Sequence, residues 1–221
     1  MAKQIIIGFV TEGTTDTRFM ESIIQRTFEE IAFECSSDID ISLFEIDFKK
    51  VGYEFNEFVL NSARAGNEHF GIMTLCIHAD ADDQTSSNVY QYKINPAMKC
   101  LSESEYHDIV LTPLVPVQMM ESWLMADKEL LKKEIGTNKS DVELGIYKNP
   151  EQYADPKAIV SEAIRIARHE LTRRKRKDLK IEDLYQNIGQ KISLGKLDDL
   201  NSYQSFKEEV RKAYRSLNYL Q

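Results

Sequence analysis

The chain has no long hydrophobic run. No apolar stretch in its 221 residues approaches the length of about 20 residues that a membrane-spanning helix needs. Its first residues, MAKQIIIGFVTEG, contain too short an apolar run for a secretory signal peptide and no cleavage site. The three cysteines, at positions 35, 76 and 100, are an odd number without metal-ligand spacing. These absences predict a protein of the reducing cytoplasm with no membrane partner.

Several motifs of well-known enzyme classes are also absent. There is no G-x-x-x-x-G-K-[ST] loop for nucleoside triphosphates, no G-x-G-x-x-G after the first predicted strand, and no G-x-S-x-G of serine hydrolases. The four histidines, at positions 69, 78, 107 and 169, do not have the spacing of a zinc site. The chemistry of the chain is therefore expected among its carboxylates.

The charge is acidic overall but uneven along the chain. The net charge is −8, from 28 basic and 36 acidic residues. Residues 165–180, RIARHELTRRKRKDLK, contain eight Arg or Lys and two acidic residues, a local charge of +6. Five consecutive cations lie within it: Arg173, Arg174, Lys175, Arg176 and Lys177. They are either a phosphate-contacting surface for nucleic acid or a solvated helix end.

Apolar spacing predicts strands and helices in alternation. The predicted strands cover residues 3–10, 39–48, 70–77 and 109–117. The predicted helices cover residues 17–33, 54–65 and 118–131, and Gly66 ends the second of them. A further helical stretch before the fourth strand reaches about residue 104 and is interrupted at Asn95-Pro96. This order predicts an α/β fold with a mostly parallel four-stranded sheet flanked by helices on both faces. The third strand is apolar throughout and should be central. Two prolines in the fourth indicate an edge strand or a short ladder.

The remainder of the chain is predicted to be helical. Residues 136–156 show little periodicity and form a connection, while 157–172 and 206–217 have the apolar spacing of helices. We therefore expect an α/β domain over residues 1–135 and a helical C-terminal extension over 136–221.

Two of the predicted strands end in carboxylates. The segment IIIGFVTEGTTD supplies Glu12 and Asp16 after the first strand, and GIMTLCIHADADD supplies Asp80 and Asp82 after the third. The carboxyl ends of parallel strands meet at one edge of a sheet, so these acids should lie together. Crowded carboxylates repel one another unless a divalent cation neutralises them, which predicts a Mg²⁺ (or Mn²⁺) site that acts on phosphate.

Other interpretations of the same residues remain open. Asp16 has the position of a helix cap or a first-turn acid, which is the commoner role of such a residue. Asp83 points elsewhere in an extended chain. His78 could help at the site, although a lone histidine at a strand end is more often structural. Glu121, in PVQMMESWLMAD, is either a first-turn acid that compensates the helix dipole or a further acid at the same sheet edge.

The paired motifs resemble those of Toprim domains. Glu12-Gly13 after the first strand and Asp80-Ala81-Asp82 after the third look like the motifs found in topoisomerases, DnaG-type primases, small ribonucleases and OLD-type nucleases, over about residues 3–130. The segments EGTTD, PLVPVQMMESWLMAD and YQNIGQKISLGKLDDLNSYQSFKEEVRKAY resemble more narrowly a small bacterial family of uncharacterised Toprim-like proteins related to the OLD-type nucleases.

This resemblance implies a Toprim-like fold and a metal-dependent nuclease. The implied catalytic residues are Glu12, Asp80, Asp82 and Glu121, and the same acids with Asp16 would hold the metal. OLD-type nucleases join a Toprim nuclease to an ABC-type ATPase, so a separate ATPase subunit in an anti-phage defence system is implied as a partner. A basic active-site residue is implied downstream, and Lys180 and Lys191 both qualify.

Two other functions remain open from the sequence. The chain could be a catalytically silent Toprim interaction subunit that binds nucleic acid or a partner ATPase. It could also transfer nucleotidyl groups as primases do, although the zinc or helicase-binding modules that usually accompany that activity are not visible.

Overall fold

A four-stranded sheet forms the centre of the protein. The structure is a computed structural model and describes residues 3–48, 52–169 and 179–221. The strands are β1 (Lys3–Val10), β2 (Ile39–Glu45), β3 (Thr74–His78) and β4 (Val110–Leu114). They lie in the order β2-β1-β3-β4, and every pair is parallel. The predicted four-stranded sheet is therefore confirmed, with the apolar β3 in its interior and β4 at an edge.

Helices cover both faces of this sheet, as predicted. The helices up to β4 are α1 (Thr14–Ala32), α2 (Phe55–Phe70), α3 (Ser87–Val89) and α4 (Asn95–Ser102). Those after it are α5 (Glu121–Leu124), α6 (Lys128–Ile135), α7 (Pro156–Arg168), α8 (Tyr185–Lys191), α9 (Leu194–Leu197) and α10 (Asn201–Ser216). The part after β4 is thus helical in the described residues. None of the described helices is long and apolar enough to cross a membrane.

Alternation along the strands divides the buried residues into two cores. Ile5, Ile7 and Phe9 of β1 face a core shared with α1 and α10, while Leu75 and Ile77 of β3 face a core shared with α2 and α4. The first core mixes side chains from both sides of residue 135, so the C-terminal helices pack directly on the α/β part. The proposed division into two domains stays a prediction.

The predicted end of α2 at Gly66 is wrong. The helix continues to Phe70 and ends at Gly71, which adopts the left-handed φ of 63° that terminates many helices. Gly66 instead permits close packing, because a Cβ atom there would lie 2.5 Å from Cδ1 of Ile72. The local sequence marks both glycines alike, and only the packing distinguishes them.

Two other predicted helices differ from the structure. The chain stays helical before Pro96, but a π-helical turn over Tyr90–Ile94 leads into α4, because proline offers no N–H for the regular bond. The predicted helix over 118–131 is divided into α5 and α6. Asp127 begins α6 by accepting a hydrogen bond from the N–H of Leu130 at 3.0 Å.

The strand order places a crevice between β1 and β3. The chain leaves β1 on one side to form β2 and returns on the other side to form β3. Connections that leave neighbouring strands in opposite directions open a crevice at the carboxyl ends, where ligands of α/β proteins bind. Val10 pairs with Ile77, so the two loops that follow these strands begin side by side.

Candidate active site at the carboxyl edge of the sheet

The loop after β1 is short and fixed to the first turn of α1. The hydroxyl of Thr11 donates to the carbonyl of Gly13 at 2.8 Å and lies 2.7 Å from the hydroxyl of Thr17. Glu12 is exposed on this loop, and Asp16 lies in the first turn of α1. The tight turn therefore presents both acids of the EGTTD motif at the crevice.

His78, the last residue of β3, lies between two of these acids. Its side chain is 1% exposed. Its Nε2 is 3.2 Å from Oδ1 of Asp80, and its Nδ1 is 3.7 Å from Oδ2 of Asp16. Nδ1 is buried and has no hydrogen-bond partner within the described residues. The histidine thus connects the acid that follows β1 with the acid that follows β3.

Asp80 is held in place by the neighbouring loop. The N–H of Met120 donates to Oδ1 of Asp80 at 2.9 Å. The loops after β3 and β4 also continue the pairing of the strands, through the N–H groups of Ala79, Ala81 and Asp82, which donate to the carbonyls of Leu114, Pro116 and Gln118. The carboxylate of Asp80 is therefore oriented before any ligand binds.

Glu121 faces inward and is held by the C-terminal helices. Its side chain is 6% exposed, and the hydroxyl of Tyr185 donates to its Oε1 at 2.5 Å. The Nζ of Lys157 lies 3.8 Å from the same oxygen. Burial and the bond to the Glu121 carboxylate raise the pKa of Tyr185, which keeps the phenol protonated as a donor. Glu121 is therefore a buried, anchored acid rather than an exposed first-turn residue.

The charges of these residues act on one another. Burial raises the pKa of Asp16, and the charges of Asp80 and Glu121 raise it further, while His78 opposes them. Burial is the largest influence on His78 and disfavours its charged form. The hydrogen bond to Asp80 and the charges of Asp80, Asp16 and Glu12 outweigh it and raise the pKa of His78. We call His78, Glu12, Asp16, Asp80 and Glu121 the His78 cluster.

Asp82 lies at a turn beyond this cluster. Its φ is 51°, so the strand does not continue to it, and its side chain is exposed. Gln118, opposite it, has a φ of 59°, and the backbone groups of the two loops pair there. None of the hydrogen bonds or ion pairs within the described residues joins the Asp82 side chain to the cluster. Asp83 accepts bonds from the Gln84 N–H and the Asn88 side chain, so it stabilises the turn.

Within the described residues, Glu121 pairs with a lysine that the sequence did not indicate. Lys157, in the first turn of α7, is the cation paired with Glu121, and its side chain is 54% exposed. Of the two lysines that the resemblance implied, Lys191 pairs with Glu134 at 2.7 Å, and the backbone N–H of Lys180 donates to Asp183. No pattern around Lys157 in the sequence distinguishes it. Tyr185 begins the segment YQNIGQKISLGKL that carries the resemblance, but the sequence assigns that tyrosine no role.

The predicted nucleic-acid-binding residues follow α7 in the sequence. Arg173, Arg174, Lys175, Arg176 and Lys177 lie outside the described residues, beyond the end of α7.

The acids have the right chemistry for a divalent cation, although no complete metal cage is present. Within residues 3–48, 52–169 and 179–221, no group of three or more His, Cys, Asp or Glu is arranged to hold a metal ion. Mg²⁺ usually takes only one or two carboxylates from a protein and completes its shell with water and substrate phosphates. Asp16 and Asp80, on either side of the crevice, fit that mode of binding.

Comparison of the chain with protein-family models, with curated proteins and with solved structures gives no match.

Proposed function

We propose that this protein is a metal-dependent phosphodiesterase that cleaves nucleic acid at a Toprim-like site on the carboxyl edge of its sheet. The observation that carries the proposal is the meeting of the acids after β1 and β3 around His78 at the crevice between those strands. The raised pKa of Asp16, in a crevice where α/β proteins bind ligands, supports a functional site there.

The metal would be held by Glu12, Asp16 and Asp80, with Asp82 and Glu121 completing its surroundings. A pair of divalent ions about 4 Å apart supplies an activated water and stabilises the leaving oxygen in phosphodiester cleavage. Hydrogen bonds within the chain orient two of these carboxylates. The N–H of Met120 donates to Asp80, and the hydroxyl of Tyr185 donates to Glu121.

Lys157 has a separate role in this proposal. Its ammonium lies at the rim of the site and is half exposed, so it can pair with a phosphate of the substrate as well as with Glu121. The basic segment Arg173–Lys177 would bind the nucleic acid backbone. By resemblance, a separate ABC-type ATPase would be the partner in an anti-phage defence system, and the cytoplasm would be its location.

The test is cleavage of labelled DNA and RNA by the purified protein with Mg²⁺ or Mn²⁺ and with EDTA. We expect cleavage only with metal, and a loss of at least about 100-fold in Asp80→Asn, because the carboxylate that orients the site is neutralised. Asp108→Asn is the matched control. Asp108 is 95% exposed and precedes β4, at the opposite end of the sheet, so its replacement should leave cleavage unchanged.

Two results would contradict the proposal. Cleavage that persists in EDTA, or that Asp80→Asn leaves unchanged, would place the activity elsewhere. Specific binding of nucleic acid or of an ATPase without cleavage under any metal would favour the catalytically silent interaction subunit.

A further inference from the structure

A buried nitrogen of His78 lacks a partner. Nδ1 makes no hydrogen bond within the described residues, and Oδ2 of Asp16 is 3.7 Å away, too far for a hydrogen bond. A buried polar atom without a partner costs about 1–3 kcal/mol. Such an atom, close to the carboxylates of Asp16, Asp80 and Glu12, is a candidate site for a ligand.

The other ring nitrogen shows how His78 is oriented. Nε2 lies 3.2 Å from Oδ1 of Asp80, and an ionised carboxylate can only accept. In the neutral ring the proton is therefore on Nε2, and the lone pair is on Nδ1, facing Asp16. A histidine that binds a metal almost always donates its other N–H to a carboxylate or carbonyl in this way.

The distance between His78 Nδ1 and Asp16 Oδ2 suits the binding of one metal ion by both atoms. An imidazole nitrogen and a carboxylate oxygen each bind a divalent transition metal at about 2.0–2.2 Å. Bonds of that length at a tetrahedral angle separate the two donor atoms by about 3.4 Å. The observed 3.7 Å needs an adjustment of only a few tenths of an ångström, and the Asp16 side chain is 19% exposed, so it has room to move.

We infer that His78 Nδ1 and Asp16 Oδ2 together bind one divalent transition-metal ion. At this ion Asp80, which the proposed function counts among the metal ligands, orients His78 and is not itself a ligand. This inference rests on the proposed function, because it assumes that the His78 cluster binds metal. It changes the expected metal, because an imidazole ligand favours first-row transition metals over Mg²⁺, which prefers oxygen. Water and a substrate phosphate would supply the remaining ligands.

The test measures metal binding without nucleic acid. Mn²⁺ is titrated into the metal-free protein and followed by electron paramagnetic resonance, with Mg²⁺ as the competitor. We expect Mn²⁺ to bind at least about tenfold more tightly than Mg²⁺, and its pulsed spectrum to show coupling to one directly bound ¹⁴N nucleus. His69→Gln is the matched control, since His69 is exposed at the end of α2.

His78→Gln separates binding from structure. Its amide nitrogen can replace Nε2 and keep the bond to Asp80, while the nitrogen ligand at Nδ1 is lost. We expect the ¹⁴N coupling to disappear and Mn²⁺ affinity to fall by about ten- to a hundredfold, with Mg²⁺ affinity changing by less than about threefold.

Three results would overturn the inference: no Mn²⁺ binding, equal affinity for the two metals, or no ¹⁴N coupling in the native protein. The spectrum of the native protein decides the question even if His78→Gln fails to fold. The inference and the proposed function fail separately. If the protein cleaves nucleic acid with Mg²⁺ but bound Mn²⁺ shows no ¹⁴N coupling, only the ligand role of His78 is contradicted. If Mn²⁺ shows the ¹⁴N coupling but the protein does not cleave, only the proposed nuclease activity is contradicted.

Discussion

At the scale of the residue, His78 changes how the acidic motifs are interpreted. The sequence predicts that the acids after β1 and β3 meet because parallel strands end at one edge. For the lone histidine at the end of β3, it leaves open whether the residue helps at the site or is structural. The structure places that histidine, fully buried, between Asp16 and Asp80. Its position depends on two strands that are neighbours in the sheet but about 60 residues apart in the chain.

The surroundings of His78 also predict a pH dependence of stability. Its pKa in the folded protein is above the ordinary value of 6.5, because Asp80, Asp16 and Glu12 outweigh burial. The stability that it contributes is therefore fully present below pH 6.5 and is lost as the pH rises through the folded pKa. In EDTA, the difference in free energy of unfolding between the native protein and His78→Gln should shrink from pH 6 to pH 8.5.

Urea unfolding at both pH values measures that difference, and His69→Gln should follow the native protein throughout. A difference that stays constant with pH would show that His78 does not change its charge on unfolding in this range.

At the scale of the element, α8 lies unusually close to α1. A Cβ atom at Gly189 would be 2.9 Å from Cα of Phe19 and closer still to its carbonyl oxygen. The guanidinium of Arg26 in α1 donates to the carbonyls of Gly189 and Ile192, at 2.8 and 2.7 Å, and so satisfies the end of α8. This contact places Tyr185, at the start of α8, against Glu121.

Gly189→Ala should therefore destabilise the protein by about 1–3 kcal/mol, because the backbone of α1 cannot yield to the added methyl group. Denaturant unfolding measures the change, and metal titration shows whether Glu121 loses its support. Gly195→Ala is the matched control, since a Cβ atom there meets only the Ser193 hydroxyl, at an ordinary 3.6 Å. Equal stability of the two variants would contradict the close packing of α8 on α1.

At the scale of the whole molecule, the distribution of charge predicts how nucleic acid binds. The protein is acidic, with a net charge of −8, so the basic segment Arg173–Lys177 is expected to make most phosphate contacts. Replacing Arg173, Arg174 and Arg176 by Ala should weaken binding for all sequences. It should also reduce the slope of log K against log salt by about one unit for each lost contact.

Fluorescence anisotropy over a range of salt concentrations measures that slope. The matched control replaces Lys99, Lys133 and Lys196, three exposed lysines on separate helices, with the same loss of charge. An equal effect of the two triple variants would mean that total charge, and not the segment, governs binding. Metal affinity at the His78 cluster should stay the same in both.

The sequence by itself determined the order of the elements and the position of the acids at the strand ends. Both depend on short-range patterns: an isoleucine-rich run in β1, continuous apolar residues in β3, and carboxylates just after each. Even at this level, the predicted end of α2 at Gly66 is wrong, because a glycine that permits packing and one that ends a helix look alike in the sequence.

Only the tertiary structure decided which side chains surround those acids. Lys157 and Tyr185 reach Glu121 from helices 36 and 64 residues farther along the chain. The turn at Asp82 depends on Gln118, which pairs with it from the loop after β4. Such contacts form when the C-terminal helices pack on the sheet and bury a shared core. Because they depend on that packing and not on local spacing, no pattern in the sequence identifies them.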